Sequence, residues 1–374
     1  MKSQRHSLDK SIRYPRVVFI VGTGRSGSTV LDLFLGQHPT IQSAGELCNV
    51  VKSGWVGGEF CSCGERVPLC RFWTEVRKIW EELTGAKPED YESLRSLVEG
   101  NRRTLWKMLR NDRPEMLLLS GKEPGEFLAY AQWTAALYRA IAEVSGKTLL
   151  IDSSKNPARA LALVLMDHRL DLIDLYLIHL VRDIRGFVWS QRKSFQRDER
   201  AGVAHDLSPR PVWKSALVWL FVNSISERVI ARHDLERTLF LRYEDFANDT
   251  LQTSLKLASF LNIAAQPWLE MMTSHKPLQA GHVVAGNRVR MQRHINIKPD
   301  NDWQTHLTTF QKVLCWFLAG WKARQYGYTW EPVAARTTTT GGHTLAGPHY
   351  VHSPRTTLDT VATPSENQYG LHKP

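Results

Sequence analysis

Short apolar strands alternating with helical stretches predict an α/β chain, a three-layer sandwich with a mostly parallel central sheet, helices on both faces and a helical insertion. Three observations carry this expectation. Val17 to Val21, Lys147 to Ile151, Asp174 to Val181 and Thr238 to Leu241 read as strands separated by stretches of helical period. The first strand runs through a glycine-rich turn, Gly22-Thr-Gly-Arg-Ser-Gly-Ser-Thr29, into an apolar helical segment. Asp174 to Val181 ends in Arg182, which opens another helix. In a parallel sheet both strands deliver these polar groups to one carboxyl edge, where ligands bind in open α/β folds.

Taken in order, residues 1 to 15 read as a polar leader without the apolar stretch of a signal peptide. Residues 16 to 331 read as one domain with a helical acceptor-side insertion at about 50 to 145. Within it Phe127, Tyr130, Trp133, Leu137 and Ile141 recur at three- and four-residue steps, the mark of a core-facing stripe. Trp303 to Gln325 reads as a last helix, and residues 332 to 374, rich in Thr, Gly, His and Pro, read as a disordered tail. No apolar run is long enough to span a bilayer, so the expected location is cytoplasmic.

The chain has 374 residues, 43% of them hydrophobic, and a net charge of +11 from 48 basic and 37 acidic side chains. That length supports a large core, and that charge suits a polyanionic ligand. The basic residues are dispersed, with neither a long basic tract nor zinc-finger spacing, which argues against nucleic acid as a partner.

In the first turn, Gly22, Gly24 and Gly27 allow tight backbone geometry, and Ser28 and Thr29 open a helix whose free N–H groups suit an anion. A ligand-free βα connection is the plainer reading. The usual ATP-binding loop reads G-x-x-x-x-G-K-[ST]; here Ser28 stands in place of the lysine, and the cation is Arg25, inside the loop. A second anion signal is Arg182 with Ser190, eight residues and about two helical turns further on.

Together these residues resemble the sulfotransferases that use 3′-phosphoadenosine 5′-phosphosulfate (PAPS), a family with a P-loop-type fold. The likeness is nearest to the tyrosylprotein and carbohydrate branches, with Arg25-Ser-Gly-Ser-Thr29, then His38-Pro39, then Gly45-Glu46. It implies a 5′-phosphosulfate loop of Gly24, Arg25, Ser26, Gly27, Ser28 and Thr29, and a 3′-phosphate pair of Arg182 and Ser190. It also implies Glu46 as catalytic base and, in Lys155-Asn-Pro157, Lys155 as catalytic lysine beside Arg25. Arg242-Tyr-Glu-Asp-Phe246 resembles a strand-end motif whose tyrosine, here Tyr243, lies near the nucleotide; packing under the sheet is the alternative. Ala285-Gly-Asn-Arg-Val-Arg290 resembles the family's C-terminal nucleotide loop and brings in Asn287 and Arg288, with Arg290 as the alternative to Arg288. Four residues beyond Ser190 the tyrosylprotein branch has an arginine; here Ser194 stands there, leaving Arg192 or Lys193 as substitutes.

The resemblance therefore implies transfer of a sulfuryl group from PAPS to a hydroxyl or amine of an acceptor, with PAP as product and no catalytic metal. A P-loop kinase or NTPase and a non-catalytic polyanion-binding protein are the competing readings. Ser28 and the lack of an evident magnesium-binding acidic strand argue against the first, and Glu46 with Lys155 against the second. Lys155 has a plainer reading as a solvated lysine in the capping sequence Asp152 to Pro157, and Glu46 one as a surface glutamate. Among histidines, His38 is expected to cap a helix and His179 to lie in the core. Cys48, Cys61, Cys63 and Cys70 fall within 23 residues. Free buried thiols are the expectation for them, and a structural zinc is the alternative.

Overall fold

A computed structural model of the chain describes residues 15–100, 106, 107, 110, 124–203, 206–292 and 294–331. The predicted tail, and all of the predicted leader but Pro15, lie outside the described residues.

Five parallel strands form one sheet in the order β2-β3-β1-β4-β5: β1 Arg16–Gly22, β2 Ile41–Ser43, β3 Leu149–Lys155, β4 Asp174–Val181 and β5 Thr238–Arg242. Central β1 pairs with β3 on one side and β4 on the other, so Val18 lies opposite both Ile151 and Tyr176. From β1 the chain crosses to the edge strand β2, returns to β3, and then passes to β4 and β5 on the other side of β1. Such a switch opens a crevice at the carboxyl ends of the strands.

The unbroken apolar run of β1 follows from its being covered on both faces. Val17, Phe19 and Val21 pack into a core with α4 (Pro124–Ser145) and α5 (Pro157–His168). Val18 and Ile20 pack on the opposite side against α1 (Ser28–Leu35), α8 (Tyr243–Asn248), α9 (Thr250–Leu261) and α10 (Gln266–Thr273). This is the expected α/β sandwich. The stripe Phe127, Tyr130, Leu137 and Ile141 is buried in the first core, with Trp133 partly buried against it.

Between β2 and β3 lie α2 (Arg71–Thr84), α3 (Pro88–Glu99) and α4. A buried ionic network ties this helical group to the sheet. Arg159 of α5 donates to Asp152 at 2.9 Å and to Glu99 at 2.5 Å, and the Tyr138 hydroxyl donates to Asp152 at 2.7 Å. Removing one member would leave another charge buried and unpaired.

Beyond β4 come α6 (Ile184–Arg192) and α7 (Val212–Ile230), and after β5 and α8 to α10 come α11 (Trp303–His306) and α12 (Thr309–Gln325). No helix among the described residues is long and apolar enough to cross a membrane.

Four local expectations need correction. β2 is absent from the sequence reading because Ile-Gln-Ser carries no pattern; pairing with β3 makes it a strand. β3 continues four residues past Ile151 because Arg159, Tyr138 and Asp32 satisfy its buried polar side chains. The last helical pattern breaks at Leu307, and a capping box at Thr308 and Gln311 starts α12. His38 caps nothing. Its ring hydrogen-bonds Thr40 at 2.8 Å and the Ala264 carbonyl at 3.0 Å, and sits against Trp268. His179 is buried in β4, as expected.

Candidate active site

The turn after β1 is shaped by left-handed backbone at Arg25 (φ 66°) and Gly27 (φ 86°). The Thr23 and Ser26 hydroxyls bond each other at 2.6 Å across it. Gly27 precedes α1, whose first turn has no side-chain cap, so the N–H groups there stay available to an anion. A Cβ on Gly27 would lie 2.3 Å from the Tyr243 ring, whereas one on Gly24 would meet nothing within 4 Å. The loop is thus closed on the Tyr243 side and open at Gly24.

Arg25 carries the loop's charge into a cationic neighbourhood. Burial lowers its pKa first, the fields of Arg210 and Arg288 lower it further, and only Glu46 opposes them. Three guanidinium groups set against one carboxylate favour a bound anion.

Glu46 and Lys155 come from opposite ends of the chain's first half and meet at the sheet edge. Lys155 Nζ donates to Glu46 Oε1 at 2.6 Å and to the Ser153 carbonyl at 2.7 Å. Both side chains are mostly shielded, at 19% and 11% exposure, so neither is the solvated surface residue of the plainer reading. Asn156 caps α5 through its side chain, yet Lys155 turns inward on left-handed backbone, φ 67°. A non-glycine residue held there costs about 1–3 kcal/mol and tends to mark a functional constraint. Lys155 and Arg25 share this feature.

Asp32, a lone acid within an apolar helix, organises the pair from below. Its carboxylate accepts from the Ser43 hydroxyl at 2.6 Å, the Gly45 N–H at 3.1 Å and the Ser153 hydroxyl at 2.8 Å. It therefore positions the residue before Glu46 and the residue whose carbonyl holds Lys155. Burial raises its pKa to about 7, against the pull of the Ser43 and Ser153 hydroxyls. Asn49 steadies the other Glu46 oxygen at 3.1 Å. A loop from far down the chain closes the wall: Glu46 N–H donates to Val284 O at 3.1 Å, and Asn287 N–H donates to Thr29 Oγ1 at 3.2 Å. Gly45 has φ 79°, and a Cβ there would strike the Val284 carbonyl at 2.3 Å, so only glycine permits this approach.

Arg182 leaves β4 beneath the loop. It donates to the Arg25 carbonyl at 3.2 Å, pairs with Asp300 at 2.9 Å and lies 4.8 Å over the Tyr243 ring. Burial works against its charge, but Asp300 and Glu244 raise its pKa above the ordinary value. Its buried Nε has no hydrogen-bond partner. Ser190 is buried on α6, its hydroxyl donating to the Phe187 carbonyl at 2.7 Å. Tyr243 begins α8 as a buried member of the core that covers this face of the sheet, and its hydroxyl donates to Lys298 O at 2.8 Å. Glu244 accepts from the Asp183 N–H at 3.0 Å and from Tyr328 at 2.6 Å, which fixes the turn that presents Arg182.

Arg290 is fully buried, paired with Glu59 and donating to Phe60 O at 2.7 Å, whereas Arg288 is exposed over the Phe195 ring at 4.2 Å. Arg288 is the more accessible of the two. The Asn287 side chain caps its own turn by accepting from Val289 N–H at 3.1 Å. Lys193 shares Asp300 with Arg182, at 3.6 Å. Cys48 stands apart from the other three cysteines, its N–H on Ser154 Oγ at 3.0 Å.

Sequence reasoning missed Asp32, Asn49, Arg210 and Asp300. A charge on an apolar helix signalled Asp32; Asn49 ends a single 3-10 turn, and Arg210 and Asp300 lie in loops with no local pattern.

The sulfotransferase family matches residues 15–56. No curated protein shows significant similarity. Among solved structures, the sulfotransferase domain from the curacin biosynthetic pathway is 19% identical, covering 83% of this chain and 98% of its own, with a TM-score of 0.42. The sulfotransferase domain of the Synechococcus PCC 7002 olefin synthase is 18% identical, covering 83% and 96%, with a TM-score of 0.37. Sulfotransferase STF9 of Mycobacterium avium is 13% identical, covering 74% and 71%, with a TM-score of 0.38. These structural likenesses are too distant to assign roles to residues, and none singles out the tyrosylprotein or carbohydrate branch. The sequence agreement is with the sulfotransferase family, over the strand, loop and helix of residues 15–56 and the turn that carries Glu46.

Proposed function

We propose that this chain transfers the sulfuryl group of PAPS to a hydroxyl, or an amine, of an acceptor and releases PAP. The observation that carries this reading is the Glu46–Lys155 pair, 2.6 Å apart beside an anion loop whose Arg25 lies in the field of Arg210 and Arg288. Binding alone needs neither a shielded carboxylate nor a lysine on strained backbone.

In this reading Glu46 takes the acceptor's proton as its oxygen bonds to sulfur and the bond from sulfur to the bridging oxygen breaks. Lys155 and Arg25 neutralise the charge that develops on the departing 5′-phosphate. The first-turn N–H groups of α1 hold that phosphate from Gly24 to Thr29. Arg182, with its unpartnered Nε, and Ser190 take the 3′-phosphate, with Tyr243 and the loop of Asn287 and Arg288 closing over the nucleotide. In this reading Lys155 and Arg25 supply the positive charge at the leaving phosphate, and no step is assigned to a catalytic metal.

The kinase reading has less support. Asp152, the acid in the middle of the strand beside β1, is engaged by Arg159, Tyr138 and Ser154, and Ser28 stands where a phosphate-binding lysine belongs. Calorimetric titration separates the readings. PAP should bind at least tenfold more tightly than AMP, which lacks only the 3′-phosphate, and more tightly than ATP with magnesium. Equal affinity for PAP and AMP, or a preference for ATP with magnesium, contradicts the proposal.

A further inference from the structure

We infer that the chain holds a structural zinc ion on Cys61, Cys63, Cys70 and His282. The donor atoms of these four residues all lie within 4.8 Å of one another, although His282 is 212 residues from Cys70 in sequence. Two cysteines come from the short turn Cys61-Ser-Cys63, the third from the residue before α2, and the imidazole from the loop that backs Glu46.

The spacing is that of a tetrahedron around an ion. Zn–S bonds of about 2.3 Å and Zn–N bonds of about 2.0 Å at tetrahedral angles put sulfurs about 3.8 Å apart and sulfur about 3.5 Å from nitrogen. Here Cys63 and Cys70 sulfurs are 3.6 Å apart, and His282 Nδ1 lies 3.3 Å from the Cys70 sulfur and 3.8 Å from that of Cys61. A disulfide needs about 2 Å between two sulfurs and would leave the third thiol and the imidazole unused. All the cysteines are free thiols. Three sulfurs and one imidazole form a closed set that selects zinc, with no position left for a substrate.

The surroundings preorganise the set. The His282 ring stacks on Phe72 at 5.0 Å with 5° between the planes, which aims Nδ1 at the sulfurs. Ser62 stitches the two loops together: its N–H donates to Val283 O at 3.1 Å, its hydroxyl donates to Gly281 O at 3.0 Å, and Val283 N–H donates to that hydroxyl at 2.7 Å. Cys61 and Cys70 are buried and Cys63 is exposed, so an ion has a route in. On binding, each thiol releases its proton to solvent and the thiolates bond to Zn²⁺. The ion then clamps the Cys61 turn to the loop whose Val284 and Asn287 hold Glu46 and Thr29 in place. It acts on the fold of the site and takes no part in the chemistry there.

The test is elemental analysis of the full chain purified under reducing conditions, with zinc release on thiol modification read by a metallochromic dye. About one zinc per chain is expected. Cys63→Ser and His282→Ala should lose it, while Cys48→Ser and Cys315→Ser keep it. Should the two ligand variants fold poorly, the wild-type chain stripped with a strong chelator should melt at a lower temperature, recover on adding zinc alone, and with cobalt(II) show the visible bands of a tetrahedral thiolate site. A purified chain with neither bound zinc nor cobalt uptake, zinc that survives in Cys63→Ser and His282→Ala, or an intact mass showing a cysteine pair oxidised without metal would overturn the inference.

Discussion

Replacing Gly27 by alanine tests how the anion loop is built. At φ 86° an L side chain costs about 1–2 kcal/mol from local sterics alone. The new Cβ would also sit 2.3 Å from Cδ2 and 2.7 Å from Cε2 of Tyr243, so the ring must retreat by more than about 1 Å to reach ordinary carbon contact. It is not free to do so, because its hydroxyl donates to Lys298 O at 2.8 Å and its face carries Arg182 at 4.8 Å. Losing that hydrogen bond costs about 1 kcal/mol, and weakening the cation–π contact costs about as much. The sum is roughly 3–4 kcal/mol, a melting temperature lower by about 4–5 °C for a chain of this size. A double-mutant cycle separates the parts. In a Tyr243→Ala background the alanine at 27 should cost only the backbone share, leaving a coupling of about 2 kcal/mol by thermal or denaturant unfolding. Additive effects, or an unchanged melting temperature in the single variant, would refute the reasoning that Tyr243 closes this loop.

Other predictions concern the pair and the group beneath it. Glu46→Gln keeps size and polarity but cannot accept a proton, so kcat with PAPS and a responsive acceptor should fall by roughly 10²–10⁴ while PAP affinity barely changes; unchanged turnover removes Glu46 from the chemistry. Lys155→Ala should lower kcat by about 10²–10³, and Lys155→Arg should restore little, because a planar fork replaces a point charge held by Glu46 and the Ser153 carbonyl. Asp32 has its pKa raised to about 7 by burial, so the folded state binds the proton more tightly than the unfolded chain. Its contribution to stability is therefore full below about pH 4 and lost as the pH rises to about 7. Asp32→Asn, neutral throughout, should lose less melting temperature over that window than wild type does, and parallel curves would contradict the assignment.

What was legible in the sequence was local. The strand Val17 to Val21, its glycine turn and α1 form one short stretch, and apolar period plus glycine spacing are enough to read it. Arg182 at the end of β4 was legible for the same reason, since strand, arginine and helix follow one another directly. The meeting of Glu46 with Lys155 came through family resemblance alone, because the pairing depends on β2 lying beside β3, and β2 carries no pattern. Burial separated Arg288 from Arg290: one pairs with Glu59 inside the fold, and a Gly-Asn turn before both could not say which. The cysteine cluster failed in an instructive way. Sequence proximity grouped Cys48 with three others, whereas the chain's path puts a histidine from the far loop in its place. Arg210 and Asp300 lie in loops whose position is set by tertiary contacts, and no window of sequence around either marks it.

In the proposed reaction Glu46 and Lys155 together carry sulfuryl transfer from PAPS. This is tested most directly by incubating the chain with PAPS and pools of sugar, lipid, phenol and peptide acceptors and reading added sulfate by mass spectrometry, with Glu46→Gln and Lys155→Ala in parallel. Wild type should add sulfate to an acceptor, with PAP formed in step, and either variant should add far less although both still bind PAP. Sulfate transfer at wild-type rates by both variants, or phosphate transfer from ATP with magnesium in place of sulfate transfer from PAPS, would contradict the proposal.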